Sequence, residues 1–313
     1  MQGIISLGEA LIDFIPKDKN NIIYEKNPGG APANVAVGLK RLGSNSAFIG
    51  KVGADSLGNY LFDKLNQEKV DISNMILTEK EKTALTLVTL DERGERNFEF
   101  FVKRSADSLL SKDEIDDTLF KEYKIFHFGS ISMINEPSRE ATKYALDLAI
   151  ENNMIISYDP NIREGLWEDM NSAKKIIKSV LGKVNILKLS REELIFLTNE
   201  DNLKKAAEQI KNKNDIDILL ITDGSNGVYF LNDILIHVPA EKVKVVDTTG
   251  AGDAFVAGFL NRINESQVEL TKISNEKIKK YCEFANHCSA LVVKKQGAMS
   301  MLPKREDVIE FID

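Results

Sequence analysis

Short apolar runs recur along this chain with helical patterns between them, and that alternation restricts the fold more than any other feature. The runs are "GIISLG" at 3–8, "SAFIGKVG" at Ser46–Gly53, then Ile125–Phe128, 154–158, 185–189 and Ile218–Thr222. Each is too short for a helix and is bounded by glycine or polar residues, the mark of a buried strand. Between them, "PANVAVGLKRLG" spaces Val35, Leu39 and Leu42 by four and three, with Gly43 as the stop. "DSLGNYLFDKLNQE" reads as a helix capped by Asp55, and 137–153 and 203–211 read as further helices. Strand followed by helix, repeated, predicts an α/β fold: a doubly wound, mostly parallel sheet flanked by helices.

Two stretches break the rhythm. "TALTLVTLDERGERNFEFFVK" alternates Phe98, Phe100 and Val102 after a "DERGE" turn and predicts a hairpin. "LIDFIPKDKNNIIYEKNPGG" predicts strands around the turn "KDKNN". Together they suggest one small projecting β-sheet, a lid formed by approximately 13–28 and 83–104. Its second face needs cover, from a substrate or a second copy of the chain, so a homodimer through the lid is expected. With 313 residues, no internal repeat and no linker-like segment, the chain is read as a single domain over 1–313.

A net charge of −7 with no basic stripe argues against nucleic acid as a partner. The two cysteines, Cys282 and Cys288, do not make a disulfide framework and fit a reducing compartment. The opening residues carry Glu9 and Asp13 without a basic segment, so they do not read as a signal peptide. No apolar run is long enough to span a membrane. A cytoplasmic protein without membrane contact is expected.

The chemistry centres on "DTTGAGDAFVAGF", residues 247–259. "VKVVD" before it is strand-like, and "AFVAGFLNRI" after it is a buried helix with Ala254, Ala257 and Gly258 small enough for close packing. Gly250, Ala251 and Gly252 therefore lie at a helix N-terminus, where unpaired N–H groups and the helix dipole favour an anion. Small side chains let that anion come close. Asp253 beside it can accept a proton from a hydroxyl while the amides stabilise charge on a phosphoryl group. The helix dipole is expected to keep Asp253 ionised. No Walker A motif and no G-x-G-x-x-G after the first strand occur, which argues against P-loop and nicotinamide chemistry. Cys282, His287 and Cys288 lie close in sequence, but their spacing suits a buried helix better than a zinc site.

"PGGAPANVAVGLKRLG" and "DTTGAGDAFVAG" together resemble the two signatures of the PfkB, or ribokinase-like, carbohydrate kinases. The resemblance covers essentially the whole chain. "GEALIDFIP", "FIGKVGADSLG", "SADSLL", "FHFGSIS" and "YDPNIREGLW" are similar to stretches of fructokinases within that family. It implies a ribokinase-like fold and ATP-dependent phosphorylation of fructose to fructose 6-phosphate, with Mg²⁺ and K⁺ as the expected ions. Aminoimidazole riboside, ribose and 2-keto-3-deoxygluconate are alternative acceptors. A non-catalytic sugar-kinase-like binding protein is the alternative outside enzymes.

The resemblance also implies roles for residues. Asp253 is the catalytic base, with Gly250, Ala251 and Gly252 as the anion hole and Arg163 near the reacting centre. Asp13, Gly29, Gly30, Asn34 and Asn161 bind the sugar, and a carboxylate such as Asp13 suits paired hydroxyls. Lys188, Ser190, Glu193, Thr222, Asp223, Gly224, Gly227 and Asn286 face the nucleotide. Ser190 stands where the family's N-x-x-E motif has Asn. Asp247 and Thr249 match positions whose carbonyls hold a monovalent cation. Val102 stands where related fructokinases often carry Arg, with Lys103 and Arg104 next to it.

Overall fold

A computed structural model describes residues 2–91, 96–101 and 104–311. In chain order the strands are β1 (Ile4–Leu7), β2 (Leu11–Pro16), β3 (Tyr24–Gly29), β4 (Ser46–Gly53), β5 (Met75–Thr78), β6 (Leu85–Leu90) and β7 (Arg96–Phe100). They continue as β8 (Ile125–Phe128), β9 (Ile155–Tyr158), β10 (Ile186–Ser190), β11 (Ile218–Thr222), β12 (Val228–Leu231) and β13 (Leu235–Val238). The helices are α1 (Ala31–Arg41), α2 (Ser56–Gln67), α3 (Ser138–Glu151), α4 (Met170–Lys178), α5 (Arg191–Thr198), α6 (Leu203–Asn214), α7 (Ala251–Glu265) and α8 (Asn275–Val292).

The main sheet has nine strands in the order β13-β12-β11-β10-β9-β8-β1-β4-β5. Its pairs are parallel from β11 through to β5, and the edge pairs β11–β12 and β12–β13 are antiparallel. Helices cover both faces, which is why the strands read as unbroken apolar runs. Ile4 enters one core with α1, α7 and α8, while Ile5 and Leu7 enter the other with α3, α5 and α6. Ile218 and Leu220 divide from Leu219 and Ile221 in the same way. The doubly wound sheet read from the sequence is the one observed.

Local signals explain the helix ends. Asp55 caps α2 by accepting from the N–H groups of Leu57 and Gly58, at 3.0 and 2.9 Å. Gly43, at φ 95, follows the end of α1. The small residues of α7 serve close packing. A Cβ on Gly258 would lie 3.1 Å from Ala285 Cα of α8, and one on Gly38 of α1 would lie 2.8 Å from Ala257 Cβ. Three helices thus meet almost backbone to backbone under the "GAGD" segment.

The second sheet has four strands in the order β3-β2-β6-β7. Both stretches that break the α/β rhythm enter it, joined by a parallel pairing of β2 with β6 that sets Asp13 opposite Thr86. Most of the "DERGE" turn, together with Val102 and Lys103, lies outside the described residues. "VKVVD" departs from its strand-like reading. Val246 and Asp247 both donate their N–H groups to Val293 O, at 2.8 and 3.2 Å, so the segment follows the end of α8 and pairs with no strand. Val245 and Val246 are exposed. Cys282 and Cys288 are buried free thiols on α8. Among the described residues there is no cluster of three metal-ligating side chains, and no helix is long and apolar enough to cross a membrane.

Candidate active site

Strand order reverses around β1, which lies between β4 and β8. In open α/β sheets the crevice forms at such a point, outside the carboxyl ends of the strands. Here a cleft of ≈ 620 Å³ opens there, between the main sheet, the small sheet and the start of α7. It gathers Asp13, Gly30, Asn34, Asn161, Arg163, Lys188, Thr249, Gly250, Gly252 and Asp253 from five separate parts of the chain. An adjoining cleft of ≈ 230 Å³ adds Ser190 and Glu193 and shares Asn161, Arg163 and Lys188.

Asp253 sits in the first turn of α7, only 9% exposed. Asn34 Nδ2 donates to its Oδ2 at 2.7 Å, and Asp253 lines the cleft. Burial pushes its pKa up to about 6, partly opposed by the Asn34 bond, Arg163 and Lys188, and assisted by Asp159. Loss of water is the largest effect on its charge. Asp253 is still mostly ionised at pH 7. Gly250 caps the helix at φ 79, and a Cβ there would sit 2.9 Å from Ala298 Cβ, so only glycine brings the chain into α7 at this angle. Ala251 does not line the cleft; its carbonyl accepts from Ser289 Oγ at 2.7 Å, tying the turn to α8.

Asp13 points in from β2. Burial lifts its pKa to about 6, against a hydrogen bond from the Thr86 side chain and the charge of Arg163. Gly29 does not line the cleft but makes room for it. A Cβ on Gly29 would fall 2.4 Å from Asp13 Oδ2. Asn161 holds φ 45, a left-handed conformation that asparagine tolerates better than most residues. That turn presents Arg163 to the cleft.

Lys188 Nζ donates to Asp159 Oδ2 at 2.9 Å, and both residues are buried. Burial alone would pull the lysine's pKa down, but Asp159 and Glu193 outweigh it and the net shift is upward. Lys188 therefore stays a fixed cation, and its Nζ would lie 3.4 Å from a Cβ on Gly252, beside the α7 amides. Glu193 is fully engaged. Its Oε1 accepts from Ile162 N and its Oε2 from Ser190 N, each at 2.7 Å, while Ser190 Oγ accepts from Glu193 N at 3.1 Å. This capping box locks the Asn161 turn to the start of α5.

The rest of the expected nucleotide set lies outside both clefts. Arg191 donates to the Asp223 carboxylate at 3.1 Å, and Asp223 N donates to Gly227 O at 2.8 Å. Thr222 ends β11, Gly224 and Gly227 shape the turn behind it, and Asn286 Nδ2 donates to Val238 O and Pro239 O. Asp247 is buried, its carboxylate accepting from Thr249 N at 2.8 Å and Gly297 N at 3.0 Å. Two buried acids of the cleft were not singled out from the sequence, Glu9 and Asp159. Both stand inside quoted motifs, "GEALIDFIP" and "YDPNIREGLW", but nothing local marks them as buried.

The chain matches the pfkB family of carbohydrate kinases over residues 1–305. It is 43% identical to the probable fructokinase-6, chloroplastic, of Arabidopsis thaliana, over 98% of this chain and 81% of that protein. The crystal structure of fructokinase from Xylella fastidiosa with bound ATP superposes with a TM-score of 0.92 at 33% identity, covering 99% of this chain and 98% of that one. A double mutant of the fructokinase from Vibrio cholerae O395, in its fructose-, ADP- and potassium-ion-bound form, gives 0.90 at 34%, covering 100% and 99%. By sequence and by fold alike, this chain belongs to the pfkB family of carbohydrate kinases.

Proposed function

We propose that the chain transfers the γ-phosphoryl group of ATP to the primary 6-hydroxyl of D-fructose, giving fructose 6-phosphate. The observation that carries this reading is the pairing of two carboxylates across one cleft. Asp253 stands at a helix N-terminus beside a buried cation, and Asp13 reaches in from the small sheet. One acid suits proton removal and the other suits sugar hydroxyls. The likeness to fructokinases over nearly the whole chain supports fructose as the acceptor.

In this reading Asp253 accepts the hydroxyl proton, and the amides of Gly250 and Gly252 stabilise charge on the moving phosphoryl group, while Ala251 N donates to Thr248 O at 3.2 Å within the turn. Lys188 and Arg163 hold phosphate oxygens. Asn34 fixes the orientation of Asp253, and with Asp13, Gly30 and Asn161 it lines the sugar side, while Gly29 leaves space for the Asp13 carboxylate. Glu193 and Ser190 brace the Asn161 turn. Thr222, Asp223, Gly224, Gly227 and Asn286 form the wall toward the nucleoside. The small sheet is a lid that excludes water, which would otherwise compete as acceptor. Asp159 fits magnesium, since its Oδ1 is buried with no hydrogen-bond partner among the described residues; with ATP bound, the ion would offset phosphate charge.

The acceptor is tested by kinetics with ATP and magnesium. Fructose is expected to show the highest kcat/KM among fructose, ribose, aminoimidazole riboside and 2-keto-3-deoxygluconate, by at least about tenfold, or about 1.4 kcal/mol. A higher value for any other sugar sinks the fructose assignment and leaves the kinase chemistry standing.

We place a potassium site at the turn of Asp247 and Thr249, where two irregular segments meet around a buried carboxylate. Turnover is expected to be highest in potassium when sodium and a large organic cation are compared at fixed ionic strength; equal rates remove the site. Ile22, Ile23 and Phe101 are exposed on the small sheet and its loops, and support a homodimer through the lid. A sedimentation mass of one chain would rule that dimer out. The buried free thiols support a reducing compartment such as the cytoplasm.

A further inference from the structure

Past Thr86 and Phe100 the sugar side of the cleft runs on into a small pocket of ≈ 60 Å³. Glu9, Ser105, Asp107 and Asn135 give it a polar end. Glu9 is 3% exposed. Its Oε1 accepts from Ala31 N at 3.0 Å, and its Oε2 has no hydrogen-bond partner among the described residues. A buried carboxyl oxygen without a partner is uncommon in a native fold, and one that lines a pocket points to a ligand group that supplies the missing bond.

We infer that this pocket is a specificity subsite for the second hydroxymethyl arm of a ketohexose, with Glu9 hydrogen-bonding the hydroxyl of that arm. The inference rests on the fructokinase reading and deepens it. A ketohexose carries a primary hydroxyl at each end of the chain. When one end is presented to Asp253, the other must find room along the cleft. A pocket of this size holds about two waters, or one hydroxymethyl group in their place. An aldopentose has no second arm and leaves the pocket empty.

The electrostatics select a neutral group. Burial pushes the Glu9 carboxyl up to about 8, and the nearby Asp107 adds to the rise. Glu9 therefore holds its proton at neutral pH and can donate it in a hydrogen bond. Burial also raises Asp107, against the bond it accepts from Ser105 Oγ. A carboxylate substituent would meet two acids here and no cation among the described lining residues. A hydroxyl can accept from Glu9 and donate to the oxygens opposite.

The test compares D-fructose with 1-deoxy-D-fructose, which lacks only that hydroxyl, in the wild type, Glu9→Gln, Glu9→Met and Asp107→Leu. The readout is the ratio of kcat/KM values within one preparation, which partial misfolding cannot mimic. The wild type is expected to favour fructose by at least about 10²-fold, because a site built to bond a hydroxyl rejects the analogue without it. Glu9→Gln keeps both a donor and an acceptor for Ala31 N, and is expected to keep most of the preference. Glu9→Met is expected to lower the ratio at least about tenfold. Asp107→Leu leaves the Ala31 bond intact and is expected to lower the ratio in the same direction. A wild type that phosphorylates both sugars equally, or a ratio unmoved in Glu9→Met and Asp107→Leu, overturns the subsite. A wild type active on other sugars but not on fructose overturns the fructokinase reading instead.

Discussion

Asp253→Asn is expected to lower turnover by at least about 10²-fold, the usual contribution of a general base, while the KM for fructose changes much less. Asparagine keeps the size of the side chain and an oxygen to accept the Asn34 bond, so only the base is removed. Steady-state kinetics with a saturating nucleotide decide it, and near-normal turnover in the variant would displace Asp253 from the role. The pH profile offers a second view of the same group. Burial raises Asp253 to about 6, and the base works only when ionised. Activity is therefore expected at neutral pH and above, and to be lost as pH falls through about 6. Asp13 titrates in the same range for the same cause. The two share a cleft and feel each other's charge, so the acid limb of kcat/KM is expected to be steeper than one proton gives, and to approach a single proton in Asp13→Asn.

Asp13→Ala is expected to reduce kcat/KM for fructose by about 10²-fold or more, mainly through KM, while the affinity for a nucleotide analogue survives. The reason is that two charge-assisted hydrogen bonds, each worth about 1.5–3 kcal/mol, are lost from one substrate only. Calorimetric titration with the analogue separates the cases. Equal weakening toward sugar and nucleotide would mean that the small sheet had come apart, since β2 pairs with both β3 and β6 and carries Asp13 in its middle. The Gly29 contact makes a further point about this strand. The carboxylate is held against the Gly29 backbone with no space for a side chain there, so the sheet is shaped around the acid.

Much of the scaffold was legible in the residues because the governing interactions are local. The run Ile218–Thr222 is one strand in both readings, and Asp55 caps α2 through N–H groups two and three residues away. Gly250 marks a helix start because the backbone there needs a positive φ. Segments whose shape depends on distant partners were harder to read. "VKVVD" has the composition of a strand, yet the end of α8 takes its N–H groups and leaves no strand to pair with. The edge hairpin of β12 and β13 carries no turn signal strong enough to announce it.

The sequence by itself determined the alternating strands and helices, the glycine-led start of α7 and the acid in its first turn, since each follows from the order of neighbouring residues. The tertiary structure alone decided which charges meet. Lys188 and Asp159 are 29 residues apart and pair at 2.9 Å, and Asn34 orients Asp253 across 219 residues. It also decided protonation: Glu9 and Asp253 are ordinary carboxylic acids in the chain, burial raises both in the fold, and they differ because Asp253 has the Asn34 hydrogen bond and the charges of Arg163 and Lys188 to oppose the rise. Local sequence cannot carry that information, because solvation and Coulomb energy depend on distance through space and not along the chain.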